Sequence, residues 1–165
     1  MSTRPASIWC PSPNFLSAPA GRKVTCVVIH ATETDGLDSP KEWLTNPESK
    51  VSAHYLIGED GTIYHLVHES NVAYHAGESV WKGVEWVNHF SVGIELVNVN
   101  DGVAPYPEAQ LVACAALVAD ICADYGVAPE DVVGHADIAP GRKTDPGAAF
   151  PWDAFRARLK PAPSV

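Results

Sequence analysis

Two unlike rhythms of apolar residues run along this chain. Residues 24–30, Val-Thr-Cys-Val-Val-Ile-His, are β-branched or apolar at nearly every position, the pattern of a central strand covered on both faces. Residues 52–57 and 63–67 read as two more strands. Between them, Glu59-Asp60-Gly61-Thr62 predicts a tight hairpin, because Asp-Gly tolerates the positive φ that such turns require. Residues 91–97 form another buried strand, and Asn100-Asp101-Gly102 turns the chain after it.

The second rhythm is helical. From Pro107 onward, Leu111, Ala115, Val118 and Cys122 share one face, joined by Leu117, Ile121 and Tyr125, and Gly126 stands where a C-terminal cap belongs. Ser39-Pro40-Lys41-Glu42 has the S-x-x-E form with proline at the first helical position. It predicts a capping box at Ser39 and a short helix carrying Trp43 and Leu44 inward, ended by Asn46-Pro47. A last amphipathic helix runs from Phe150-Pro151-Trp152 to about Leu159. Residues 1–22 lack periodicity and predict an irregular arm, with Trp9 and Phe15 as packing anchors. Residues 69–90, rich in aromatic residues, Gly and His, predict a long loop, which in a compact domain is usually functional. The order of elements predicts a single α/β domain, a mixed central sheet flanked by helices.

One stretch fits neither rhythm. Gly134-His135-Ala136-Asp137-Ile138-Ala139-Pro140-Gly141-Arg142-Lys143-Thr144-Asp145-Pro146-Gly147 sets charged and imidazole groups among glycines and prolines. Such a run predicts a shaped loop rather than a regular helix or central strand. A loop with imidazole at one end and carboxylate at the other can bend His135 and Asp145 onto one metal ion. His30, delivered by the first buried strand, is the best candidate for a third ligand; the plain alternative is that His135 and Asp145 only stabilise the loop. Glu95 interrupts an apolar strand, where a carboxylate is costly unless paired or used.

Composition narrows the field. At 165 residues with 46% apolar content, the chain can bury a full core. A net charge of −9 argues against a nucleic-acid partner. No apolar run reaches transmembrane length, so no membrane insertion is expected. The first fifteen residues lack a continuous apolar segment of the secretory kind, so synthesis in the cytoplasm is expected, with release by another route if the protein acts outside. Cys10, Cys26, Cys114 and Cys122 form no C-x-x-C pair. Three of them, Cys26, Cys114 and Cys122, read as small buried hydrophobes. H-E-x-x-H, G-x-S-x-G and Walker motifs are absent.

The loop at 134–147, with Val27-Val28-Ile29-His30 and Val92-Gly93-Ile94-Glu95-Leu96 upstream, resembles the zinc-dependent N-acetylmuramoyl-L-alanine amidases of the AmpD and AmiD type. These are relatives of phage lysozyme-amidases and peptidoglycan-recognition proteins. The resemblance runs from about Pro11 to Leu159, and Pro11-Ser12-Pro13-Asn14 is similar to the lead-in of the AmiD branch. It implies one zinc ion held by His30, His135 and Asp145, with a fourth position open to water. It implies Glu95 as general base and Lys143 as the cation beside the oxyanion. It places His75, in Tyr74-His75-Ala76-Gly77, along the substrate groove.

Weaker candidates keep their alternatives. Arg142 reads equally as a contact for a peptide carboxylate or a strut within the loop. His54 reads as sheet packing or as support for the site. Trp81 and Trp86 wall a groove or fill core. His65 and His68 are spaced to face opposite sides of a strand, and His89 reads as a loop residue. The implied activity is hydrolysis of the amide between the lactyl group of N-acetylmuramic acid and L-alanine in peptidoglycan or muropeptides. The expected role is that of a monomeric endolysin-type lytic enzyme. The alternatives are a muropeptide-recycling amidase, a non-catalytic peptidoglycan-binding module, and a metal-dependent peptidase cutting within the stem peptide.

Overall fold

The computed structural model describes residues 3–17 and 19–160. In chain order the strands are β1 (Ile8–Trp9), β2 (Phe15–Leu16), β3 (Cys26–Ala31), β4 (Tyr55–Ile57), β5 (Ile63–His65), β6 (Val72–Ala73), β7 (Val80–Trp81), β8 (Val84–Glu85), β9 (Ser91–Leu96) and β10 (Val132–Gly134). The helices are α1 (Asp38–Thr45), α2 (Glu108–Tyr125), α3 (His135–Ile138) and α4 (Trp152–Leu159). A six-stranded sheet has the order β1-β5-β4-β9-β3-β10. Only β4 and β5 pair antiparallel within it; the other neighbours are parallel, so the sheet is mixed as expected.

The two most apolar runs occupy the interior of this sheet. β3 and β9 pair in register from Cys26 opposite Ser91 to Ala31 opposite Leu96. Successive side chains alternate faces. Val27, Ile29, Val92, Ile94 and Leu96 therefore meet Leu117, Val118 and Ile121 of α2 and Phe155 of α4. Each of these fully buried side chains contributes roughly 1.5–3 kcal/mol. The alternate set faces the other way. Cys26 and Val28 pack on Val87, Val133 and Ile138, and His30 and Glu95 continue their rows at the strand ends. The long helix thus covers one face; the other carries smaller apolar clusters and, at the strand ends, the polar groups.

Local signals hold where they are strongest. The β4–β5 hairpin closes with Gly58 N–H donating to Thr62 C=O at 3.0 Å, and Gly61 has φ +85. α2 ends at Gly126, whose N–H donates to Cys122 C=O at 2.9 Å. All four cysteines are free thiols, and burial pushes Cys26 up to about 12.

Five expectations need correction. α1 begins at Asp38, with no side-chain cap from Ser39, which lies inside the first turn. Pro40 is tolerated there because first-turn amides have no intrahelical acceptor. Trp43 does not turn inward: it is 54% exposed while Leu44 is buried, since adjacent helical residues point about 100° apart. The arm is less irregular than its sequence suggests. β1 adds in parallel to the outer edge of β5, continued by Cys10 N–H to His65 C=O at 2.9 Å, and β2 pairs with β6. Trp9 is half exposed and stacks on His68 at 4.4 Å. Residues 1, 2 and 18 of the expected arm lie outside the described residues. His65 and His68 do not face opposite sides: β5 ends at His65, alternation stops, and the two rings lie 5.4 Å apart around Trp9. The run at 134–147, expected to be loop throughout, opens with the single helical turn α3.

Candidate metal centre

Parallel strand register assembles the site. His30 on β3 lies opposite Glu95 on β9, and Gly134 on β10 pairs with Ile29, which sets His135 at the level of His30. All three side chains sit at the carboxyl ends of parallel strands, the usual ligand edge of an open α/β sheet. Asp145 is carried in by the loop and tied at several points. Ala136 N–H donates to the Asp145 C=O at 2.9 Å, and Ala31 N–H donates to Asp145 Oδ2 at 3.2 Å. Tyr106 O–H donates to the Pro146 C=O at 2.7 Å. Asp137 accepts from Gly134 N–H at 2.7 Å, closing the turn of α3, so this carboxylate is spent on structure.

His30 Nδ1 lies 3.0 Å from His135 Nδ1 and 3.5 Å from Asp145 Oδ2. His135 Nδ1 is 3.3 Å from Asp145 Oδ1. The three ligand atoms lie within 4.8 Å of one another, and this is the group of metal-ligand type among the described residues. His135 Nε2 donates to the Ala76 C=O at 3.1 Å, which puts the proton on Nε2 and turns the Nδ1 lone pair inward. Convergent electron-rich atoms of this kind repel one another unless a cation stands among them. Two imidazoles and a carboxylate suit zinc with one position left open. The donor set therefore fits the metal that the family resemblance implied.

Burial pushes His30 down to about 4, so it is neutral at physiological pH, as a ligand must be. Burial alone would raise the Asp145 carboxyl; hydrogen bonding to His135 and His30 outweighs it and holds the group below the usual carboxylate range. Glu95 goes the other way. Burial first, then the negative charges of Asp145 and Glu33, raise it well above an ordinary carboxylic acid, and Lys143 opposes that rise. Its Oε1 is 4.0 Å from His30 Nδ1, and its Oε2 is buried with no hydrogen-bond partner.

A cleft of about 280 Å³ opens over these groups. His75, Glu95, His135, Lys143 and Asp145 line it, and Trp43 and Tyr74 stand at its wall, both exposed. Five of the seven candidate residues thus meet at one cavity, and His30 lies buried behind them. Arg142 does not join them. Its Nη2 donates to the carbonyls of Ala76 at 2.6 Å and Glu78 at 2.7 Å, and it lines a separate cavity with Trp86 and Pro140. These bonds tie the 134–147 run to the 76–78 segment, so they fall outside the loop itself. His54 is fully buried, with Nδ1 accepting from Gly93 N–H and Nε2 donating to the Asn71 C=O, both at 3.0 Å. Trp81 donates from Nε1 to Asp131, whereas Trp86 is exposed. Sequence reading missed Ser91 and Asn88, which hold the His75 segment. A serine opening an apolar strand and an asparagine in a loop carry no local signal of such a task.

The Amidase_2 family, described as N-acetylmuramoyl-L-alanine amidase, matches residues 20–148, which include the three candidate ligands, Glu95 and Lys143. This chain belongs to the Amidase_2 family. Among its relatives is N-acetylmuramoyl-L-alanine amidase AmiD of Escherichia coli (strain K12), 43% identical over 144 residues. That alignment takes in 79% of this chain and 51% of AmiD, so the chain spans about half the length of that relative. The 1,6-anhydro-N-acetylmuramyl-L-alanine amidase AmpD of Salmonella typhimurium (strain SL1344) is 35% identical over 164 residues, 89% of this chain and 87% of AmpD. Among solved Amidase_2 relatives, E. coli AmiD in complex with the substrate anhydro-N-acetylmuramic acid-L-Ala-D-gamma-Glu-L-Lys superposes with a TM-score of 0.77. It is 35% identical, and the match covers 88% of this chain and 65% of that one. No helix among the described residues is long and apolar enough to cross a membrane.

Proposed function

We propose that this protein is a zinc-dependent N-acetylmuramoyl-L-alanine amidase. It cleaves the amide between the lactyl group of N-acetylmuramic acid and L-alanine. The observation that carries this reading is the convergence of His30 Nδ1, His135 Nδ1 and the Asp145 carboxylate beside Glu95, at the floor of a cleft that also presents Lys143. His30, His135 and Asp145 would hold the zinc ion, whose chemistry when bound would be that of a Lewis acid.

The chain's own groups do the rest. Glu95 takes a proton from the attacking water as its oxygen bonds to the lactyl carbonyl carbon. Lys143 faces the oxygen on which negative charge develops, where a cation in a partly desolvated cleft is worth far more than in water. When the C–N bond breaks, Glu95 returns its proton to the alanine nitrogen. The products are a lactyl carboxylate and a peptide with a free amino terminus at L-alanine. A carboxyl raised by burial and by two neighbouring anions, and opposed by Lys143, is suited to both halves of this exchange.

Endolysin-type lysis of intact peptidoglycan and turnover of anhydro-muropeptides share this chemistry. The AmpD relative, a 1,6-anhydro-N-acetylmuramyl-L-alanine amidase, and the anhydro-muropeptide in the AmiD complex support the second as the main role. The test is product mass spectrometry on purified sacculi and on soluble anhydro-muropeptide, before and after chelation and zinc restoration. Stem peptide beginning at L-alanine, lost on chelation and regained with zinc, is expected, with faster turnover of the soluble substrate. Binding to sacculi without release would replace the enzyme by a peptidoglycan-binding module, and cleavage within the stem would replace it by a peptidase.

A further inference from the structure

His30 and His135 both present Nδ1 to the centre, but their Nε2 protons are held in different ways. His135 Nε2 donates directly to a carbonyl, which can only accept. His30 Nε2 meets another histidine instead: it lies 2.9 Å from His75 Nδ1. Imidazole can donate or accept at either nitrogen, so this contact alone leaves the direction open.

The next two bonds close that question. His75 Nε2 is 3.0 Å from Ser91 Oγ, and Ser91 Oγ is 2.7 Å from the Val87 C=O. The Val87 carbonyl has no proton, so Ser91 must spend its only hydrogen there. Its oxygen then accepts from His75 Nε2–H. His75 Nδ1 is left bare and accepts from His30 Nε2–H, and the His30 Nδ1 lone pair faces Asp145 and His135.

The surroundings are built to hold the relay. His75 Cγ is 2.3 Å from where a Cβ on Gly93 would stand, so only glycine at this place in β9 leaves room for the ring. Asn88 Oδ1 accepts from the backbone N–H groups of His75 at 3.1 Å and Ala76 at 2.8 Å. The Ala76 C=O, on the same clamped segment, is the acceptor for His135. One short stretch of chain therefore orients both histidines.

We propose that His75 and Ser91 are positioning residues that fix the proton of His30 on Nε2, so that Nδ1 is committed to the metal. This rests on the zinc reading above, and it gives His75, which also lines the cleft, a task in the support of a ligand. Outer partners of ligating histidines typically change metal affinity 10–100-fold when removed. Ser91→Ala lets His75 adopt the opposite tautomer, which in turn invites the His30 proton onto Nδ1 and must be reversed on metal uptake.

The experiment measures zinc affinity by chelator competition on the whole chain, together with the His75 tautomer by long-range ¹H–¹⁵N correlation in metal-free protein. Wild type is expected to show His75 with its proton on Nε2. Ser91→Ala is expected to mix the two tautomers and weaken zinc binding about tenfold. His75→Gln, whose amide oxygen can still accept from His30, is expected to bind zinc more tightly than His75→Leu, which keeps the test available if Ser91→Ala does not fold. A wild-type His75 protonated on Nδ1, or equal zinc affinity for His75→Gln and His75→Leu, overturns the proposal. Failure of wild type to take up zinc overturns the metal reading with it, whereas normal loading unaffected by every substitution overturns this inference alone.

Discussion

Replacing Glu95 by its neutral isostere should separate stability from catalysis in opposite directions. In the metal-free protein Glu95 Oε2 is buried without a partner, and burial together with Asp145 and Glu33 raises its pKa. The folded pKa therefore lies above the unfolded value of about 4.3. Between the two, the folded state binds more protons than the unfolded state. The contribution to stability is complete below about pH 4.3 and is lost as pH rises through the folded value. Glu95→Gln keeps the shape and cannot ionise, so the chelated variant should gain over wild type near pH 8, by about 1.4 kcal/mol for each pH unit that separates the folded from the unfolded value, and nothing near pH 4. Urea unfolding of chelated protein across that range reads the gain. Release of peptide with free amino-terminal L-alanine by zinc-loaded enzyme reads the loss, expected at 10²–10⁴-fold, roughly the contribution of one proton-transfer group. Turnover within about threefold of wild type at intact zinc content would remove Glu95 from the proton path. Absence of any stability gain near pH 8 would show that the carboxylate finds compensation that its geometry does not reveal.

Three further outcomes are expected. Lys143→Met should lower kcat about 10²-fold with little change in KM, because the cation is asked to act on charge that develops only during reaction; steady-state kinetics with equal drops in binding and turnover would contradict that. His54 is pushed by burial from 6.5 down to about 4 while its ring bridges Gly93 and Asn71. Its contribution is therefore present above pH 6.5 and lost as pH falls through about 4, about 3 kcal/mol in all; an imidazole titrating near its ordinary value in the folded chain, seen by NMR, would sink this. Gly61→Ala meets both the left-handed backbone of the hairpin and the Ala109 carbonyl oxygen, 2.7 Å from the new Cβ. It should cost about 2–4 kcal/mol in denaturant unfolding, and a loss under about 1 kcal/mol would mean that the start of α2 gives way.

Much of the fold was legible because the signals that specify elements are local. Apolar runs at 24–30 and 91–97 marked the two strands at the sheet centre, Asp60-Gly61 marked the hairpin, and Pro107 to Gly126 bounded the long helix. That His30, His135 and Asp145 come together beside Glu95 was anticipated through the family resemblance of three separate motifs; the cost of a carboxylate in an apolar strand only marked Glu95 for attention. The arm was misread because a two-residue strand such as β1 shows no period; only the open edge of β5 makes it a strand. Trp43 and Leu44 are neighbours in sequence, and the rotation of α1 against the sheet chose which one was covered.

Arg142, His75 and Ser91 show where sequence runs out. Residue type sets what each can donate or accept, but partners lie far along the chain: Arg142 meets Ala76, and His75 meets His30 and Ser91. Those pairings depend on which strands lie side by side, and on the β3–β9 register that sets His30 against Glu95. The sequence by itself determined the elements and the stock of chemical groups, because side-chain period and turn chemistry act over a few residues. The tertiary structure alone decided which groups share a proton and which face the cleft, because a hydrogen bond depends on tenths of an ångström between atoms that the chain brings together only when folded.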